Sequence, residues 1–265
     1  MDEKDLLRKL DETCFDVGMD LYPEGWIWPL PVSGVKARVS NIQNVLSNVV
    51  GMATLTEVNV DESIQCVIEC YQQEHKSFCW LVGPTSQPAD LGSRLGAAGL
   101  RKEITAVGMV LRNLHRAIPV NPAVRVEQVS MAELDAQRSL FTEAFGHGAS
   151  EEAITLQLRF AEAYGERAKC YLAYLEDHDE PVASSLALLD TERQSVLLRG
   201  GAVLEAYRGK GIYTAMVANR LNDARAIGAA SAIIQADKQT SAPICAKLGF
   251  EAVCSIDVYI YRLSA

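Results

Sequence analysis

The sequence predicts an α+β protein of two similar domains, each a mixed, mostly antiparallel sheet flanked by helices. Three observations lead there. Element signals recur in one order in both halves: strand, helix, strand, helix, then two strands. Residues 99–112 (GLRKEITAVGMVLR) can be laid on residues 249–262 (GFEAVCSIDVYIYR) without a gap, each starting at the glycine that closes a helix. In the second half, three apolar segments alternate with the tight polar turns EDHDEP and DTER, the pattern of an antiparallel meander.

The elements follow in order. Leu6, Leu7, Leu10, Cys14 and Val17 share one side of a helix over residues 3–18. The stretch YPEGWIWPLPVSG forbids regular structure, and Trp26 and Trp28 read as core plugs or a lid. Extended segments at 35–39 and 52–60 precede a helix from Asp61 to about Lys76. A strand at 78–82 stops at Gly83-Pro84, a helix follows Pro88 to Gly99, and paired strands run to Asn113. The segment HRAIPVNPA has two prolines and no periodicity, so the expected domains are 1–118 and 124–265, joined near 115–123. The second domain opens with a strand at 124–129, then a capping box, Ser130 and Glu133, before a helix striped by Leu134, Phe141 and Phe145. The loop FGHGAS and a helix to about Glu166 lead into strands at 170–175, 182–189 and 195–204.

The chain has 265 residues, 49% apolar and 22% charged, the composition of a soluble globular protein. No window holds the ~18 apolar residues of a membrane span, and the charged start MDEKDLLRKLDE is no signal peptide. A cytoplasmic protein without a membrane partner is expected. The net charge of −9 argues against nucleic acid, which is met by a basic face, yet leaves room for a small basic pocket. The seven cysteines and four histidines lack metal-ligand spacing, so the thiols read as reduced and no metal is expected.

The chemistry concentrates in Leu204-Glu205-Ala206-Tyr207-Arg208-Gly209-Lys210-Gly211-Ile212-Tyr213. This loop follows a strand and opens a helix striped by Tyr213, Val217, Leu221, Ala224 and Ile227 that closes at Gly228. A glycine-rich turn at a helix N-terminus presents free N–H groups and the positive end of the helix dipole, which together cradle phosphate. Gly209 and Gly211 allow close approach, while Arg208 and Lys210 add positive charge. The loop is neither a P-loop nor a dinucleotide fingerprint, because no G-K-[ST] and no G-x-G-x-x-G is present. A strand at 229–235 and a short helix ending in Lys247-Leu248-Gly249-Phe250 complete the run.

This run of about 140 residues resembles the GNAT superfamily of N-acetyltransferases. Their cofactor loop reads R/Q-x-x-G-x-G/A, and their last helix commonly ends in K/R-L-G-F. Arg208 and Gly211 match; Tyr213 departs from the small residue usual at the third fixed position. Residues 34–114 resemble the degenerate first domain of tandem GNAT proteins, giving two GNAT-like domains. The counterpart of the loop there is VNVDESIQ, acidic and without glycine, so one acetyl-coenzyme A (acetyl-CoA) per chain is expected.

The resemblance implies direct attack of an amine, on a small molecule or a protein, upon the thioester. It places pantetheine beside Ala202, Val203 and Leu204, and phosphate on Arg208, Gly209, Lys210, Gly211, Ile212 and Tyr213. Cys245 stands where the family's acidic tyrosine is usual, and Tyr213, Tyr259 and Tyr261 are alternative acids. His147 and Glu143, flanking FGHGAS, are the candidate bases. Packing explains Cys245 better than an acid role does. The departures at Cys245 and Tyr213 also suit a non-catalytic acyl-CoA sensor. A third reading has longer acyl groups or an aminoacyl-tRNA as donor, against which the acidic charge weighs. A homodimer is compatible with this composition.

Overall fold

The computed structural model describes residues 2–15, 24–146 and 150–263. The chain divides into two compact units, one of residues 2–108 and 253–265, the other of residues 109–252. The expected partition, 1–118 and 124–265, had assigned the C-terminal strand to the second domain.

The first unit begins with α1 (Glu3–Glu12), capped by Asp2, whose carboxylate accepts from the Asp5 N–H. Val17, at the end of the expected helix, lies outside the described residues. Strands β1 (Ile27–Pro29), β2 (Lys36–Ser40) and β3 (Val49–Gly51) pair antiparallel in sequence. β1 lies in the stretch expected to be irregular; a three-residue edge strand tolerates Pro29 at its end. Trp28 packs against the core rather than forming a lid. Residues 52–59, expected as a strand, are irregular apart from one bridge at Thr54.

Helix α2 (Val60–Gln73) buries Val60, Ile64, Val67, Ile68 and Tyr71 at helical spacing. It leads to β4 (Phe78–Val82), which runs parallel to β3. Helix α3 (Leu91–Ala97) and β5 (Arg101–Leu111) follow. The sheet order is β1-β2-β3-β4-β11-β5, where β11 (Glu251–Tyr261) is the last strand of the chain. β5 and β11 are each one long strand, where two were expected. Alternation across the sheet accommodates the polar residues inside each. β11 pairs antiparallel with β4, Tyr261 opposite Phe78, and the rings of Tyr71, Phe78 and Tyr261 stack in series. Asp257 receives Lys102 and Thr105, and Arg262 reaches Glu103.

The second unit carries β6 (Val124–Val129), α4 (Met131–Asp135), α5 (Arg138–Phe145), α6 (Glu151–Ala163), β7 (Ala168–Leu175), β8 (Ala183–Asp190), β9 (Ser195–Val203), α7 (Ile212–Ala226), β10 (Ser231–Asp237) and α8 (Ser241–Lys247). The capping box at Ser130 and Glu133 is formed. The helix expected behind it is two, broken at Ala136–Gln137 by a main-chain turn. The order β10-β9-β8-β7-β6 is the expected meander plus one parallel strand. Both units thus contain a strand–helix–strand crossover joining parallel neighbours, β3-α2-β4 and β9-α7-β10.

Candidate functional site

The site is built where β9 and β10 part. Their parallel pairing covers Ser195 to Leu198 against Ser231 to Ile234 and then stops, although β9 continues to Val203. A bulge marks the parting. On β8, one residue separates Ser184 from Leu186; on β9, Gly200 and Gly201 both separate their partners Ala202 and Arg199. Gly200 has φ +60, a left-handed conformation that favours glycine, and a Cβ there would push aside the end of the Gln157 side chain, 2.6 Å away.

The parted strand runs into the glycine-rich turn that opens α7. Gly209 and Gly211 have φ of +79 and +78, and Gly211 is the left-handed N-cap of α7. The first intrahelical bond is Ala215 N–H to Gly211 O. Among the described residues, no hydrogen bond engages the main-chain N–H groups of Gly209, Lys210, Gly211, Ile212, Tyr213 or Thr214. These donors and the helix dipole make an anion site.

Arg208 also holds the turn in place. Its guanidinium donates to Val203 O at 3.2 Å and Ala144 O at 3.3 Å, so it ties the turn to β9 and α5. Asn121 Nδ2 fastens the turn from the other side through Lys210 O at 2.9 Å. Lys210 lies over the Tyr207 ring, whose hydroxyl meets His178 Nε2 at 2.6 Å.

Cys245 is fully buried, with its thiol 3.9 Å from the Tyr213 hydroxyl. Burial pushes the Cys245 thiol up, opposed by the Tyr213 contact and the Arg220 charge. Burial also raises Tyr213 well above the ordinary phenol range. Both groups therefore hold their protons at neutral pH and are donors, not bases. The Tyr213 ring lies beside Gly201, where a Cβ would come within 3.2 Å of it. Tyr259 and Tyr261 do not join them; they pack against the core of the first unit. Glu143 is exposed on α5, and His147 lies outside the described residues.

Sequence reasoning missed Arg220. This arginine is 1% exposed, and its guanidinium donates to Leu186 O at 3.0 Å, Arg199 O at 3.5 Å and Met216 O at 3.1 Å. Leu186 and Arg199 are the pair that borders the bulge. Burial lowers its pKa from a value high enough that it stays charged. Its position on the apolar stripe of α7, between Val217 and Ala224, was the available signal. The doublet Gly200-Gly201 inside a strand was another, because paired glycines in a strand mark a bulge. Two cavities, of about 230 and 360 Å³, lie elsewhere in this unit and involve no residue of 199–213.

The first unit treats the same positions differently. Beyond the last β3–β4 pair, the gap is filled by its own chain: Gln87 N–H donates to Ala53 O at 2.8 Å and Leu55 N–H to Gln87 O at 3.3 Å. The turn before α2 has no glycine, and its acids Glu57 and Asp61, with Asp90, converge on Arg94. One cation among these acids leaves the turn negative, the wrong sign for pyrophosphate. Calorimetric titration should give one coenzyme A per chain; two would show that the first unit opens to ligand.

The parallel pair of β9 and β10 thus parts onto a glycine-rich helix N-terminus. Residues 134–250 match the Acetyltransferase (GNAT) family, and this segment is a GNAT domain. The likeness in fold extends over both units. A GCN5-related N-acetyltransferase from Kribbella flavida has a TM-score of 0.68 at 14% identity, over 90% of this chain and 91% of its own. A GCN5-related N-acetyltransferase from Sphaerobacter thermophilus gives 0.65 at 17%, over 86% and 76%. A tandem GNAT protein from the clavulanic acid biosynthesis pathway gives 0.60 at 12%, over 87% and 79%. No match is found among curated proteins. No helix among the described residues is long and apolar enough to cross a membrane.

Proposed function

We propose that the second unit transfers the acetyl group of acetyl-CoA to an amine by direct attack on the thioester. The observation that carries this reading is the parting of β9 from β10 onto the unengaged N–H groups of residues 209–214. The GNAT family supports acetyl transfer and acetyl-CoA as donor. When bound, acetyl-CoA supplies an activated acyl carbon and a thiolate leaving group. The cradle holds its phosphates, and the edge of Ala202, Val203 and Leu204 holds its arm. The Leu204 N–H is bonded to Val182 O at 3.0 Å, so the carbonyl is polarised by a main-chain N–H of Ala202 or Val203. As the C–N bond forms and the C–S bond breaks, the amine loses one proton to solvent and the sulfur gains one. Tyr213 and Cys245, both protonated and in contact, are the donors suited to that second proton. Its seven free thiols suit a reducing cytoplasm.

The test is acetyl-CoA turnover against a panel of amines, with Tyr213→Phe and Cys245→Ala beside the wild type. Tyr213→Phe should lower kcat about a hundredfold while coenzyme A affinity stays the same. If Cys245 is the donor instead, Cys245→Ala gives that loss, and Cys245→Ser, whose hydroxyl is a weaker acid, recovers little of it. Should Cys245 only pack, the alanine variant keeps its rate and loses some thermal stability. Tight coenzyme A binding with no turnover on any amine would replace the enzyme reading with that of an acyl-CoA sensor.

A further inference from the structure

Arg199 is the first residue of β9 beyond its last pair with β10, so it stands where the two strands part. Its guanidinium lies over the Phe160 ring of α6, 4.5 Å from the centroid. The neighbouring Gly200 faces Gln157, one turn earlier on the same helix, whereas Gly201 faces Tyr213 and Arg220. The parting strands therefore have one side built from α6 with Arg199, and another built from α7 with the proton donors.

Arg199 is half-buried and stacked, and among the described residues no carboxylate pairs with it. That is unexpected in a chain with 34 acidic residues against 25 basic ones. Partial desolvation of a guanidinium is unfavourable until an anion meets it. The stacked ring fixes the planar fork, which is the geometry that grips a carboxylate or phosphate through two hydrogen bonds. A fixed positive charge beside the acceptor also disfavours the ammonium form of its amine, leaving the lone pair available for attack.

We propose that the acceptor is an amine bearing an anionic group, a carboxylate or a phosphate, held by Arg199 with Gln157 beside it. This rests on the reading of the parted strands as the transfer site. The experiment uses amines that differ only in the anion: an amino acid against its decarboxylated amine, and phosphoethanolamine against ethanolamine. Each is titrated calorimetrically into the coenzyme A-loaded protein and assayed for acetylation with acetyl-CoA. The anionic member of at least one pair should bind and react at least tenfold better, and the winning pair tells carboxylate from phosphate. The preference should vanish in Arg199→Gln and return in part in Arg199→Lys, with both variants keeping wild-type coenzyme A affinity as proof of an intact cleft. Equal binding within both pairs, no binding by either anionic member, or a preference that survives in Arg199→Gln overturns the assignment. Acetylation of the neutral amines alone would do so while leaving the acetyltransferase reading in place. Failure of the wild type to bind coenzyme A would overturn both.

Discussion

Replacing Gly211 by valine is expected to weaken coenzyme A binding at least tenfold, ~1.4 kcal/mol, with the fold retained. Gly211 caps α7 at φ +78, a left-handed conformation that costs a residue with a Cβ roughly 1–2 kcal/mol. A Cβ there would also stand 3.4 Å from Asn121 Cβ, close to the side chain that fastens Lys210 O. Valine relieves the backbone strain by turning the peptide planes of residues 209–212, whose N–H groups form the proposed cradle. Gly211→Asn is the informative partner, because asparagine tolerates the left-handed region better than other residues with a Cβ. It should retain more affinity than valine. Titration calorimetry beside thermal melts reads both effects, and unchanged affinity in the valine variant would remove the phosphate site from this turn.

The second large effect is on stability. Arg220→Ala should destabilise the second unit by about 3 kcal/mol or more, combining unpaired buried carbonyls with the space left by a large side chain. The carbonyls of Leu186 and Arg199 border the β9 bulge, and the Arg220 guanidinium donates to both. Arg220→Met separates the two causes. It fills much of the volume but donates nothing, so it should cost about 1–3 kcal/mol. Equilibrium denaturation measures both variants. An alanine variant as stable as the wild type would mean that the bulge holds its shape without the arginine.

The glycine turn before α7 was legible because its signal is local: two glycines, two cations and the start of a helix fall within six residues. The meander was equally plain, since period-two alternation and polar turns act at short range. Gln87 and Arg94 were not, because what they do depends on contacts with residues 32 to 37 positions away. The C-terminal strand illustrates the same limit. Residues 249–262 were laid on 99–112, and each segment forms one long strand, but sequence order alone does not reveal that β11 pairs with β4. Side-chain contacts between distant residues were the least legible. Nothing in the spacing of residues 213 and 245 announces that the tyrosine hydroxyl and the thiol touch. The single-helix reading over 131–145 failed for a different reason, since a continuous apolar stripe survives a short break in the main chain.

The bulge at Gly200 and Gly201 also bears on solubility. A strand edge with unpaired main-chain groups is a template for adding another strand, and exposed edges of this kind drive aggregation. Along Arg199 to Val203, the extra residue throws an incoming strand out of register, and the Arg199 charge opposes an apolar neighbour. A β-strand from another molecule would lose its ladder after a residue or two. A slender, unbranched chain with only a few amide groups needs no continuous ladder and can still dock. The same irregularity that would admit a thin ligand under the proposed function thus guards the edge against other proteins.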